Sequence, residues 1–253
     1  QCLHLNKYYL GYQHLFLLYL FIFAHAAIAE NNIPSFFTVN YKLYSNDTKI
    51  GLMERKFYKN TNNDYVFSSE SKTTGLISLF RKDHIIEISN WYFINSTIAP
   101  LNYTYQHTGG KKNRDVEIKF NWNKRQIINR VNDSVWYMET QTGILDKLLY
   151  QLVIMVDLKA GYIPEKYIIA DGGKIKEHTF EYIEDEIIKT PIGDLNTMKL
   201  SRYKKNKQET FLWCAYDLDF LPVKVITKEN DGRLSKAIIK SIEWLKYNQD
   251  KLN

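Results

Sequence analysis

The chain has 253 residues, 45% of them hydrophobic and 15% aromatic, with 19 tyrosines, which excludes a disordered protein and suits strands whose bulky side chains pack on a pleated surface. Its formal charge of +6 comes with no nucleic-acid recognition motif, and its two cysteines cannot make a disulfide scaffold.

Residues 1–29 read as a signal peptide. Leu15 to Ala24 is an uninterrupted apolar run of about ten residues, too short to span a bilayer, which takes about 20. Ala27-Ile28-Ala29 has the small-x-small pattern of a cleavage site, so cleavage is expected after Ala29, giving an exported, periplasmic mature form that does not span the membrane. Because the chain opens on Gln1, a displaced or truncated start is also expected. Losing Lys7 with the leader takes the charge from +6 to +5, and losing Cys2 leaves Cys214 alone, inside the strand-like FLWCAY and expected to be buried. With no disulfide available, residues 30–253, read as a single β-rich domain, must be held by their core.

Strand signals then follow one another. Phe37, Val39, Tyr41 and Leu43 alternate with polar residues; Lys49 to Lys59, Tyr65 to Thr73, Ile85 to Phe93 and Leu101 to His107 continue the series. The clearest period of two puts Val116, Ile118, Phe120 and Trp122 on one face and Glu117, Lys119 and Asn121 on the other. Gln126 to Val131 and Ser134 to Glu139 flank the turn Asn132-Asp133. Beyond residue 161, strands are predicted over Lys166 to Ala170, Lys174 to Ile183, Glu186 to Lys189, Leu195 to Tyr203, Gln208 to Tyr216, Leu221 to Lys228 and Leu234 to Trp244, with Asp171-Gly172-Gly173 as a hairpin turn. Turn signals every ~8 to 12 residues mark an antiparallel sandwich or barrel.

One helix interrupts the strands. It is predicted over Thr142 to Gly161, with Thr142 as N-cap and Gly161 just past its end. Leu145, Leu148, Leu149, Leu152, Val153, Met155 and Val156 share one arc, opposite Asp146, Lys147, Tyr150, Gln151 and Asp157. Ile154 and Leu158 project from the polar side, either beneath a covering segment such as Tyr162-Ile163-Pro164 or into a groove. A helix of this length is marginal alone, so docking must form it.

Chemical signatures are sparse. His84, His107 and His178 show no zinc spacing, and neither a nucleophile elbow nor a phosphate-cradling glycine loop is present. Glu184-Asp185-Glu186, Asp217 and Asp219 are the carboxylates that a hydrolase could use, but their spacing places them in turns or on one strand face. No catalytic residue, metal site or cofactor is assigned. The basic runs Lys111-Lys112-Asn113-Arg114 and Lys204-Lys205-Asn206-Lys207 read as solvated turn tips, with attraction to anionic lipid or lipopolysaccharide as the functional alternative. Sequons at Asn46, Asn95, Asn102 and Asn132 are what an Asn-rich chain contains by chance.

Several short motifs occur in a definite order: Tyr41 with Ile50-Gly51, Thr74-Gly75-Leu76-Ile77-Ser78-Leu79, Ala99-Pro100, Phe120-Asn121-Trp122, Gly143-Ile144-Leu145-Asp146, Ala170-Asp171-Gly172, Thr190-Pro191-Ile192-Gly193, and Trp213 with Asp217-Leu218 and Leu221-Pro222-Val223. In that order they resemble the exported bacterial family known as domain of unknown function 3108. Asn121 departs from the Asp expected there. The resemblance implies a periplasmic β-rich domain and brings no activity with it.

The fold expected is mainly β: a curved antiparallel sheet, a half-barrel or open barrel, with one amphipathic helix packed in or across it. The leading functional expectation is a non-enzymatic carrier or sensor of lipid or another apolar envelope ligand, contacted by Leu148, Leu152, Ile154, Met155 and Leu158. The alternative is a structural or assembly partner of an envelope protein. Nucleic acid is not expected as a partner.

Overall fold

The computed structural model describes residues 32–110, 113–203 and 209–245. Residues 1–29, expected to be a signal peptide, lie outside the described residues, as do Lys111-Lys112 of the first basic run and the whole of the second, Lys204 to Lys207. Among the described residues, fifteen strands form one sheet. The first eight are β1 (Phe37–Ser45), β2 (Thr48–Lys59), β3 (Tyr65–Thr73), β4 (His84–Ile94), β5 (Thr97–Thr108), β6 (Arg114–Asn121), β7 (Gln126–Val131) and β8 (Ser134–Glu139). After them come β9 (Ile144–Asp146), helix α1 (Leu149–Lys159), β10 (Lys166–Asp171), β11 (Lys174–Thr190), β12 (Gly193–Tyr203), β13 (Glu209–Ala215), β14 (Leu221–Lys228) and β15 (Leu234–Trp244).

The topology follows from hairpins. Antiparallel pairing joins successive strands from β1 to β8 and from β10 to β15, β9 pairs parallel with β10 across α1, and β1 pairs with β15, giving the order β8-β7-β6-β5-β4-β3-β2-β1-β15-β14-β13-β12-β11-β10-β9. The two ends of the sheet, β8 and β9, do not pair, so it is a curved, open half-barrel rather than a closed one. Alternation decides its inner face: Phe37, Val39 and Tyr41 of β1 and Val116, Ile118 and Phe120 of β6 are all buried. Aromatic stacking adds to this layer, with the Tyr65 and Trp91 ring centroids 4.4 Å apart.

Two expected strands prove to be one. Lys174 to Ile183 and Glu186 to Lys189 form the continuous β11, whose register against β12 slips between Tyr182 and Glu184. That bulge explains why the period of two breaks there in the sequence.

The helix also requires correction. Residues 144–146 form β9, which pairs parallel with β10, and α1 begins only at Leu149. Thr142 is therefore not its cap. Asp146 takes that role, its Oδ1 accepting the backbone N–H groups of Leu148 at 2.9 Å and Leu149 at 2.8 Å. Nor is α1 amphipathic. Eight of its eleven residues are buried, including Tyr150 and Ile154 from the arc expected to be polar, because the helix lies in the hydrophobic core that the curved sheet encloses.

Candidate functional site

The five helix positions nominated as ligand contacts are core. Leu148, Leu152 and Ile154 are fully buried, Met155 is 1% exposed and Leu158 4%, so none offers surface to a ligand in this conformation. Ile154 and Leu158 are covered by the chain itself and do not line a groove.

The arms of the open sheet instead meet through side chains. Asp146 of β9 accepts a 2.5 Å hydrogen bond from Ser89 of β4, and Lys147 forms an ion pair with Glu87 of β4 at 3.2 Å. At the β10–β11 turn, Gly173 donates its N–H to Asn129 of β7 at 3.2 Å. Gly173 has a φ of +82°, and a Cβ there would lie 1.8 Å from the Trp136 indole, so both the turn and the contact with β8 demand glycine.

This seam encloses a polar pocket of about 330 Å³ between β5, β6 and the β10–β11 turn. Tyr103, Tyr105 and Val116 form its wall, and Arg114, Lys147, Lys174 and Lys176 bring four cations to it. Against them stand Asp171, which is paired with Lys176, and Glu87, which accepts the Tyr103 hydroxyl at 2.6 Å. Lys147 also sits 4.6 Å from the Tyr105 ring centroid, close enough for a cation–π contact. Burial alone would depress the Lys147 ammonium, but the Glu87 and Asp171 carboxylates hold it above the usual lysine range. Burial would likewise raise Asp171, and Lys176, Lys147 and Arg114 overcome that to hold it ionised. Burial and Glu87 together push Tyr103 well above the ordinary phenol range, so it remains a neutral hydroxyl. The Tyr103 hydroxyl proton is engaged by Glu87, so what the pocket offers an anion is its net positive charge and the neighbouring Tyr105 side chain.

Two further cations face inward on the sheet. Arg55 lies over the rings of Tyr41 and Phe67, and Arg202 donates to the Tyr150 hydroxyl at 2.7 Å and to Thr210 at 2.8 Å. Among the described residues neither guanidinium forms an ion pair with a carboxylate.

The carboxylates weighed as hydrolytic candidates do not converge on this pocket. Glu184 and Glu186 bind Lys199, Glu186 accepts the Trp213 indole N–H, and Asp185 accepts the Tyr216 hydroxyl. Asp219 is tied to Lys159 and to the Ser35 backbone. His84 pairs with Glu70 and His107 with Asp83, while His178 packs edge-on to Tyr150. Among the described residues no group of three or more His, Cys, Asp or Glu is placed to hold a metal ion. Cys214 is fully buried, and that burial pushes its thiol up to about 12. A Cys2→Ser variant, in which Cys214 is the remaining thiol, is therefore expected to leave a reagent such as Ellman's reagent unreacted until denaturant is added, and rapid native labelling of it would refute this.

Sequence reasoning missed the pocket because its parts lie on β5, β6 and β10–β11. In the sequence Arg114 reads as the end of a turn-tip basic run and Asp171-Gly172-Gly173 as a hairpin turn, and nothing local joins the two.

The chain is thus a β-rich, helix-filled, open half-barrel with a cationic seam. More specifically, the chain belongs to the family described as protein of unknown function DUF3108, whose model matches residues 37–238. No curated protein matches it in sequence. Among solved structures it is similar to a β-barrel-like protein of domain of unknown function DUF1849 from Brucella abortus, with a TM-score of 0.57 and 6% identity over 84% of this chain and 98% of that one. That likeness shows the fold alone. A more distant similarity is to MucB in the MucA/MucB complex of Pseudomonas aeruginosa, with a TM-score of 0.18 and 6% identity over 87% of this chain and 96% of that one.

Proposed function

We propose that this protein is an exported, non-enzymatic binding domain of the cell envelope that takes the anionic group of its ligand, a phosphate or carboxylate, in the seam pocket. The observation that carries the reading is the gathering of Arg114, Lys147, Lys174 and Lys176 around one cavity beside the Tyr103 and Tyr105 side chains. The core is filled by α1, so an envelope lipid would be held here by its head rather than by a chain threaded through the half-barrel.

Glycerol phosphate and pyrophosphate are suitable soluble probes. Each is expected to raise the melting temperature of the wild type, since a ligand that binds only the folded state stabilises it by about 2.7 kcal/mol at 100 times its Kd. The R114S/K174S variant, altered at the pocket wall and not in the core, is expected to bind at least ~10-fold more weakly, or about 1.4 kcal/mol. Native mass spectrometry of protein isolated from its host should show an anionic adduct on the wild type alone. Absence of both a thermal shift and an adduct would refute the reading. A stoichiometric protein in place of the adduct would favour an assembly partner, for which the unpaired edge of β8, with Val135 52% and Tyr137 63% exposed, offers a surface.

A further inference from the structure

The connection between β3 and β4 holds three large apolar side chains in solvent. Leu76 is 80% exposed, Leu79 72% and Phe80 88%, more than any other large hydrophobic residue among those described. They are held in an ordered turn. Gly75–Leu79 is a 3₁₀ helix in which Ser78 Oγ donates to the Gly75 carbonyl at 2.6 Å, and the N–H groups of Phe80 and Arg81 both bond the Ile77 carbonyl. The neck is closed by Thr73, which donates its hydroxyl to the Arg81 carbonyl at 2.7 Å and its N–H to the Asp83 carbonyl at 3.0 Å. The neighbouring β5–β6 turn presses on the same neck, since a Cβ on Gly109 would lie 1.8 Å from the Lys82 carbonyl oxygen.

Charge around the neck is net positive, with three cations against two carboxylates. Lys72, Arg81 and Lys82 are exposed, and the nearby carboxylates are already committed: Glu70 to His84, and Asp83 to both Arg81 and His107. An apolar tip of three exposed side chains above a collar of cations matches a bilayer interface, where the apolar groups enter the acyl boundary and the cations remain among anionic headgroups. We infer that the 75–80 turn, with its collar of Lys72, Arg81 and Lys82, is a peripheral docking tip for an anionic lipid surface. This site is separate from the seam pocket and does not depend on what the pocket binds.

The test uses vesicles of phosphatidylethanolamine with phosphatidylglycerol, and phosphatidylcholine vesicles as the neutral comparison. Wild type is expected to sediment with the anionic vesicles at low salt and to be released as salt rises. A Phe80→Trp reporter should shift its emission to the blue on binding. The L79D/F80D variant, altered only at exposed positions and checked by an unchanged melting temperature, should lose at least ~10-fold in partitioning, in line with removing two apolar anchors. The K72S/K82S variant should lose affinity for the anionic vesicles and gain none for the neutral ones. Wild type that stays in the supernatant, an unshifted emission from the Phe80→Trp reporter, or L79D/F80D sedimenting like wild type would each overturn the inference. So would a dimer that L79D/F80D dissociates in the absence of vesicle binding, since that would assign the tip to a second copy of the chain.

Discussion

Leu152→Asp is expected to abolish cooperative folding. Leu152 is fully buried on α1, among the buried apolar residues Leu148, Leu149, Val153, Met155 and Val156. The substitution forfeits about 1.5–3 kcal/mol of side-chain burial and places a carboxylate where nothing can pair with it, at a further cost of several kcal/mol. Against a total stability of about 5–15 kcal/mol the sum is decisive. Leu152→Ala should be milder, at about 2–5 kcal/mol, because it leaves a cavity but no buried charge. Circular dichroism melts separate these cases: loss of the transition for Asp, a lowered one for Ala, and little change for Gln151→Ala on a half-buried side chain. A melting temperature for Leu152→Asp equal to that of wild type would place the helix outside the core.

The sheet can be read from the sequence because each strand is half-buried, so a period of two survives wherever hairpins follow one another. Val116, Ile118 and Phe120 behave in the structure as their alternation implies. The helix is harder to read, for a specific reason. A helical wheel assumes one wet face, and α1, enclosed by a curved sheet, leaves only Gln151, Asp157 and Lys159 half-buried. Tyr150 therefore looks polar by type but is buried, with its hydroxyl accepting from Arg202. The three residues of β9 are too few for periodicity to register, so they merge with the helix that follows. The pocket is invisible in the sequence because it depends on long-range closure: Arg114 and Lys174 are 60 positions apart and adjacent only because the arms of the sheet curl toward each other. The apolar motif at residues 74–79 stands out by its order among other motifs, but local sequence does not reveal its exposure.

Asp146 carries the second large effect, and it divides into two substitutions with opposite outcomes. Its carboxylate is fully buried, caps α1 through two backbone N–H groups and accepts the Ser89 hydroxyl. Burial is the main influence on it and pushes its pKa up to about 6, although those three hydrogen bonds pull the other way. Asp157 is raised to about 6 in the same way, with the Tyr167 hydroxyl at 2.5 Å opposing burial. Between pH ~4 and ~6 the folded chain thus holds protons that the unfolded chain has released. The contribution of each of these two carboxylates to stability therefore falls as pH rises through that window, by about 1.4 kcal/mol per pH unit at most, while carboxylates held low by cations, such as Asp171 and Asp219, act in the opposite direction near its acid end. Asp146→Ala removes the acceptor and leaves the Leu148 and Leu149 N–H groups buried and unpaired. That should cost about 2–4 kcal/mol and lower the melting temperature by roughly 4–16 °C. Asp146→Asn keeps an amide oxygen for the cap and removes the ionisable group. It is expected to be at least as stable as wild type at pH 7 and to lose about half of the decline between pH ~4 and ~6, the remainder belonging to Asp157. Melting curves across that range provide the check. If the Asn variant kept the full wild-type decline, Asp146 would have to be ionised at no cost in the fold, and the buried cap described here would be wrong.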